Sequence, residues 1–375
     1  MTGPGGSDPA LERIADKLAT GRRLDQADGE TLFASPDIHT LGRLADSARR
    51  KRHGNVAFYN VNRHIHYTNV CVSRCRFCGF ARDIADRGAY TRTVDEMVKQ
   101  ARLANGAGAT EVHLVGGLHP TLSIGYYVEM IGAIRAACPR LHIKAFTAVE
   151  IAYMAKQAKM PVADLLRELI AAGLNSLPGG GAEVFSPRVQ TETFPGKPGA
   201  DDWVEVHRAA HALSLPTNAT MLYGHVETIA ERVAHLIRLR QLQDETGGLA
   251  AFVPLSFQPA GTPLAHLPGP TGLDDLRTVA VARLMLDNVE HIKTFWVMTG
   301  PKLSQLALHF GADDLDGTVV TYDITHRDTD SSRQEMTVPQ IETLIRQAGF
   351  VPVERDSLYQ PVARSGATWS VRETR

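Results

Sequence analysis

The chain has 375 residues, 43% of them hydrophobic, enough to bury a substantial core as one large domain or two ordinary ones. Its 40 Lys and Arg against 41 Asp and Glu leave a formal net charge of -1, which offers no bulk attraction to nucleic acid or to anionic lipid. No stretch approaches the roughly 20 apolar residues of a membrane-spanning helix, and MTGPGGSDPALER lacks the basic-then-apolar pattern of a leader, so the expectation is a cytoplasmic protein with neither a membrane nor a nucleic-acid partner.

Residues 11–52 are charged and rich in Ala and Leu at helical spacing, divided near Pro36, and 1–52 is expected as an N-terminal helical segment. Strands then alternate with helices. IHYTNVC (65–71) precedes a helical VDEMVKQARLANGAG, EVHLVGG (111–117) precedes IGYYVEMIGAIRAAC, and HIKAFTAVE (142–150) precedes ADLLRELIAAG. NSLPGGG (175–181) is followed by DDWVEVHRAAHAL, TNATMLYG (217–224) by a long amphipathic stretch ending at Glu245, and AFVPLSF (251–257) by DDLRTVAVARLMLDN. IKTFWVMTG (292–300) is a seventh strand candidate and TVVTYD (318–323) an eighth, with VPQIETLIRQAG as a late helix. Repeated parallel crossover units of this length favour a closed barrel over an open sheet. The expected fold is therefore α/β, a TIM-type barrel over 53–357 behind the helical segment, with 358–375 as a C-terminal tail.

Active sites in such barrels form at the carboxyl ends of the strands, and the unusual residues fall there. Cys71 is expected to close the first strand, with Cys75 and Cys78 in the loop after it; Gly116, Gly117 and His119 follow the second strand, Glu150 ends the third, and His225 and Glu227 follow the fifth. The only other cysteine, Cys138, lies in AACPR at the end of a helix, near the opposite face, and reads as a structural thiol. Three neighbouring cysteines with no fourth ligand suit an iron–sulfur cluster with one open iron better than a zinc site. A structural metal module and an electron-transfer protein are the readings of a different class. The pair His207 and His211, spaced i, i+4 without a carboxylate partner, reads as part of an amphipathic helix.

Cys71, Cys75, Phe77 and Cys78, in the pattern C-x3-C-x-aromatic-C, resemble the signature of the radical S-adenosylmethionine (radical SAM) enzymes. The resemblance implies a [4Fe-4S] cluster on the three cysteines, S-adenosylmethionine as co-substrate on the open iron, and Phe77 near its adenine. Gly116 and Gly117 in VGGLHP resemble the second motif of that family, although Leu118 and His119 stand where an acidic residue is common. Farther along, NVNRHIHYTNVC, HIKAFTAVEI, LPGGGAEVFSPRV, NATMLYGHVET and RLRQLQDETGGLAAFVPLSF resemble the aminodeoxyfutalosine synthase branch of the family. Its relatives are the cyclic dehypoxanthine futalosine synthases and the tyrosine-using subunit of deazaflavin synthesis. The resemblance implies addition of a 5′-deoxyadenosyl radical to 3-[(1-carboxyvinyl)oxy]benzoate in menaquinone biosynthesis. The electron donor it implies is a flavodoxin or ferredoxin.

Several residues carry two readings. Gly179 and Gly180, with Gly181, make either a tight turn or a close backbone approach to the co-substrate. Glu183 and Glu150 either hold a ribose hydroxyl or an ammonium, or serve a helix N-terminus. His225 and Glu227 are the candidates for handling a proton or orienting substrate. A small-molecule substrate with two carboxylates wants cationic or hydrogen-bonding partners, for which Arg63, His64, Arg283 and Lys302 are the candidates beside His119.

Overall fold

The computed structural model describes residues 8–319, 322 and 334–372. Three helices come first, α1 (Pro9–Ala19), α2 (Gln26–Ala34) and α3 (Ile38–His53), each begun by an aspartate (Asp8, Asp25, Asp37) whose side chain accepts a backbone N–H of the first turn. There follow β1 (Val56–Asn60), β2 (Asn62–His66), α4 (Val94–Gly106), β3 (Glu111–Val115), α5 (Ile124–Ala137), β4 (His142–Ala145), α6 (Ala148–Ala158), α7 (Val162–Ala172), α8 (Pro187–Thr193) and α9 (Ala200–Ala212). The second half contains β5 (Thr217–Tyr223), α10 (Ile229–Thr246), β6 (Leu249–Ser256), α11 (Gly272–Met285), β7 (His291–Ile292), α12 (Trp296–Thr299), α13 (Pro301–Ala307), β8 (Asp314–Gly317), α14 (Val338–Gln347), β9 (Val351–Glu354) and the hairpin β10 (Val362–Ser365) and β11 (Thr368–Val371). The N-terminal helices lie on the barrel's own helices, α3 against α11 and α2 against α10 and α11.

The strands pair in parallel as β2-β3-β4 and β5-β6-β7, while β1 pairs with β8 and β9. Single parallel bridges join these ladders, Lys144 to Ser176, Leu177 to Thr217 and Lys293 to Asp314. Only Val61 separates β1 from β2, so the pairings run from β2 round to β8 and return through β1. This is the expected α/β barrel, held at its seams by single bridges rather than full ladders.

Parallel strands covered by helices are usually apolar on both faces. Here they alternate. In β3, Val112 and Leu114 are fully buried toward the helices, whereas Glu111, His113 and Val115 line the lumen. In β4, Ile143 and Ala145 face outward and Lys144 inward. The register sets His64, His113 and Lys144 in one row across β2, β3 and β4. The hydrophobic core is therefore largely the shell between sheet and helices, and the centre of the barrel is a cavity into which charged side chains project among apolar ones.

Local chemistry moves several expected boundaries. The first strand ends at His66, so Cys71 lies in the following loop and does not close the strand. HIKAFTAVE is a strand only to Ala145, because Thr147 and Glu150 form a capping box that begins α6, making Glu150 a first-turn helical residue rather than a strand end. The same Thr-x-x-Glu device opens α4 and α10. IKTFWVMTG is extended only at its start, in β7 (His291–Ile292) and the Lys293 bridge, before turning into α12, and β8 precedes TVVTYD, of which residues 320, 321 and 323 fall outside the described residues. From 358 the chain carries the β10–β11 hairpin against the amino end of the barrel, where Trp369 Nε1 donates to Ala109 O (3.2 Å) and Arg364 Nε to Glu354 Oε2 (2.7 Å). No helix among the described residues is long and apolar enough to cross a membrane.

Candidate active site

The loop after β2 brings Cys71, Cys75 and Cys78 to the wall of the central cavity, all three half-buried and free of disulfides. Backbone bonds fix it to its surroundings: Cys71 N donates to Arg82 O (3.0 Å), Val72 N to Leu118 O (3.0 Å) and Arg76 N to Thr193 O (2.8 Å). Burial raises the pKa of each thiol, and the nearby Lys197 ammonium opposes that rise. Three thiols on one cavity wall, with no fourth cysteine on it among the described residues, fit a [4Fe-4S] cluster with an open iron. Cys138 is buried at the end of α5, four residues before β4 begins, and takes no part.

Gly116 and Gly117 line the same cavity, and packing alone already requires them to be glycine. A Cβ on Gly116 would stand 2.7 Å from the Tyr67 ring, and one on Gly117 would stand 2.7 Å from the Val70 carbonyl carbon and 2.8 Å from Cys71 Cβ. The pair thus seats the second loop directly on the cysteine loop. Glu150 supports the arrangement. Its Oε1 accepts from Tyr67 OH (2.6 Å) and Gly116 N (3.1 Å), and its Oε2 from Thr147 N (2.7 Å) and Thr147 Oγ1 (2.6 Å). Burial raises its pKa, against the lowering effect of those bonds. Gly179 and Gly180 also line the cavity, and a Cβ on Gly179 would meet β5 backbone at 2.6 Å.

On the opposite flank of the cysteines, Glu183 adopts a left-handed conformation (φ 49°) and receives the Lys197 ammonium in a buried ion pair. Burial lowers the Lys197 pKa, but the Glu183 carboxylate, with the charge of an ionised Cys75, more than offsets it and raises it overall. The same ammonium lies 5.5 Å from the Phe77 ring centroid and 5.0 Å from that of Phe194. Phe77, Glu183 and Lys197 all line the cavity.

Deeper in the lumen stand groups that the loop motifs did not announce. Lys144 Nζ donates to Glu111 Oε2 (2.7 Å) and Lys293 Nζ to Asp316 Oδ1 (2.6 Å), both pairs buried. Burial alone would push Glu111 up, yet Lys144 and neighbouring cations hold its pKa well below the carboxylate range, while burial lowers the Lys144 pKa against the raising effect of Glu111. His64 and His113 lie with ring centroids 4.3 Å apart, and burial lowers the His64 pKa to about 4, keeping it neutral. Neither His64 ring nitrogen has a hydrogen-bond partner among the described residues.

Other expected site residues do not reach the cavity. Arg63 alternates with the inward-facing His64 and so projects from the outer face of β2. Arg283 is buried at the end of α11, bonded to Gly311 O (2.8 Å), Glu290 O (2.9 Å) and Asp313, which also accepts from His291 Nδ1 (2.6 Å). Lys302 is exposed on α13. His119 turns into its own loop, its Nδ1 accepting from Thr121 N and Leu122 N, both at 3.2 Å. His225 and Glu227 form a closed knot: His225 Nε2 bonds Leu222 O (3.0 Å), while Glu227 accepts from Gly224 N, His225 N and Arg232 Nε (2.8 Å). They sit behind the wall, with the His225 ring 6.1 Å from that of Phe77, and support it rather than line it. His207 and His211 converge on the Thr217 hydroxyl at 2.7 and 2.8 Å, a structural arrangement.

The radical SAM superfamily model matches residues 65–239, and the model of the CofH/MqnC C-terminal region matches 246–367. The aminodeoxyfutalosine synthase of Thermus thermophilus is 44% identical, covering 95% of this chain and 96% of that relative. The chain belongs to the radical SAM superfamily. The aminodeoxyfutalosine synthase of Streptomyces coelicolor is also 44% identical, over 94% of each chain, and a 5-amino-6-(D-ribitylamino)uracil–L-tyrosine 4-hydroxyphenyl transferase of Methanopyrus kandleri is 41% identical over 93% of this chain and 95% of its own. A solved structure of methylornithine synthase superposes with a TM-score of 0.71 at 21% identity, covering 90% of this chain and 97% of that one, which bears on the fold alone. In this radical SAM barrel, Cys71, Cys75 and Cys78 form the cluster-binding motif.

Proposed function

We propose that the chain catalyses the aminodeoxyfutalosine synthase reaction. In it the 5′-deoxyadenosyl group of S-adenosylmethionine is joined to the enolpyruvyl carbon of 3-[(1-carboxyvinyl)oxy]benzoate, and one carboxyl group is lost as CO2 or bicarbonate. What carries the reading is likeness to the aminodeoxyfutalosine synthases of two bacteria along nearly the whole chain, with the cysteine triad on the wall of the central cavity. The cluster, when bound by Cys71, Cys75 and Cys78, supplies the electron that splits the sulfonium.

The chain's own residues then have two tasks. Phe77, Gly116, Gly117, Gly179, Gly180 and Glu183 flank the co-substrate, the glycines by letting backbone approach it closely. The barrel walls limit what the radical can meet beside its acceptor. We place the enzyme in the cytoplasm with a flavodoxin or ferredoxin as electron donor, in keeping with the family resemblance and the lack of a spanning helix among the described residues.

Anaerobic incubation of the reconstituted enzyme with dithionite, S-adenosylmethionine and the enolpyruvyl benzoate is expected to yield 6-amino-6-deoxyfutalosine by mass spectrometry. Accumulation of 5′-deoxyadenosine alone, or turnover of dehypoxanthine futalosine or tyrosine instead, would refute the assignment. Cys75→Ser is expected to abolish cluster binding and product, and Cys138→Ser to preserve both.

A further inference from the structure

We propose that Lys144 and Lys293 are the carboxylate-binding groups of the substrate pocket, one ammonium for each carboxylate, with His64 and His113 in the wall beside Lys144. The inference rests on the reaction assigned above and names the residues that select its substrate.

Each ammonium has three N–H donors and gives one to its carboxylate partner, its only hydrogen bond among the described residues. Two donors on each therefore remain unused on groups that are about 95% buried and line the cavity. A buried ion pair serving only stability would be expected to satisfy those donors, since burying a polar group without a partner is costly. His64, only 6% exposed and in the same row as Lys144, repeats the pattern with both ring nitrogens unpartnered. A wall that offers several unused N–H donors, on ammonium groups whose carboxylate partners leave them free, calls for a ligand rich in acceptor oxygen such as a carboxylate.

The placement suits a ligand with two such groups. Lys144 stands on the β2-β3-β4 ladder, and Lys293 directly follows β7 of the β5-β6-β7 ladder, so the two reach the lumen from different halves of the barrel. Phe295, Tyr322 and Val253 line the same cavity and give an aromatic ring apolar contact. Phe295 and Tyr322 pack edge to face at 5.0 Å.

Their chemistry is binding rather than covalent catalysis. Glu111 and Asp316 keep the two lysines in ion pairs, and a charged ammonium has no lone pair with which to form an imine. The carboxylates also fix each flexible lysine stem before substrate arrives, which lowers the ordering cost of binding. Lys197, by contrast, is held by Glu183 beside Phe77 and the cysteines, on the co-substrate side of the cavity.

The test compares Lys144→Met and Lys293→Met holoenzymes with wild type, using the dicarboxylate and its analogue without the ring carboxylate. Because each substitution orphans a buried carboxylate, the double variants Lys144→Met/Glu111→Leu and Lys293→Met/Asp316→Leu are measured alongside, and they decide if a single variant does not fold. Calorimetric Kd in the presence of S-adenosylmethionine, kcat/KM, iron content and the cluster spectrum are read together. Each lysine variant is expected to weaken dicarboxylate binding about ten- to hundred-fold, chiefly in KM, with iron content and spectrum as in wild type. One lysine variant is expected to lose the wild-type preference for the dicarboxylate over the analogue, and the other to keep it. Folded variants that retain both Kd and preference beside an active wild type overturn this assignment alone. A wild type that leaves the dicarboxylate unchanged overturns the assigned reaction and this inference with it.

Discussion

Gly117→Ala isolates the contact between the two loops that build the site. The added methyl would start 2.7 Å from the Val70 carbonyl carbon, 2.8 Å from Cys71 Cβ and closer still to the Val70 carbonyl oxygen, where ordinary contact begins at 3.4 Å, so the cysteine loop must withdraw by about 1 Å. Backbone, rather than the tip of a flexible side chain, has to move. That backbone is tied down by Gly117 N to Thr68 O, Val72 N to Leu118 O and Cys71 N to Arg82 O, each 3.0 Å. Withdrawal either breaks these bonds or carries Cys71 with it. Overpacking of this kind costs about 1–3 kcal/mol, and misplacing a reacting centre by about 1 Å costs about a hundred-fold in rate. Reconstitution should give less iron per chain, and product formation, followed by mass spectrometry, should fall about a hundred-fold. Gly106→Ala is the control, since a Cβ at that helical position meets nothing within 4 Å. A Gly117→Ala enzyme with full iron content and wild-type turnover would refute the packing argument.

Three further outcomes follow from the burial of charged and titratable groups. Arg283→Met should cost about 3–5 kcal/mol in urea unfolding by leaving Asp313 buried without its cation, while substrate KM stays unchanged; a raised KM would return Arg283 to the site. Glu150→Gln should destabilise the fold by about 1–3 kcal/mol because an amide nitrogen cannot accept the bonds that one carboxylate oxygen now receives, and weakened S-adenosylmethionine binding at full stability would refute its positioning role. Burial lowers the pKa of His64 to about 4 and of His235 to about 3, from an ordinary 6.5. As pH falls below 6.5 the unfolded chain takes up these protons first, so each histidine removes up to about 2 kcal/mol of stability by about pH 5 and none above its unfolded pKa. Equal urea midpoints at about pH 7.5 and about pH 5 would contradict this.

The cluster site was legible in the sequence because its information is local. Cys71, Cys75 and Cys78 need only their own spacing, and the glycine pair marks a close approach wherever it falls. Strand ends were less legible: FTAVE has strand-like composition, but the Thr147 and Glu150 capping box converts it to helix. Arg283 was misassigned because the partner that explains it, Asp313, lies thirty residues away in sequence. Lys197 was missed for the same reason, with Glu183 fourteen residues earlier. Lys144 could have been found. EVHLV and HIKA alternate polar and apolar residues in strands that helices must cover, and the polar face of such a strand can point only into the lumen.

What separates the two groups of polar residues is whether their bonds are closed within the protein. Glu150 receives four donors, Glu227 three, and the Nδ1 of His119 two, so these residues hold loops in shape and have little left to offer a ligand. Lys144, Lys293 and His64 are as deeply buried, yet their hydrogen-bonding capacity remains largely unused among the described residues. Motif position drew attention to the first set, but unsatisfied chemistry distinguishes the second. In a barrel whose lumen holds charged side chains, a buried group with donors to spare is the stronger indicator of where substrate lies.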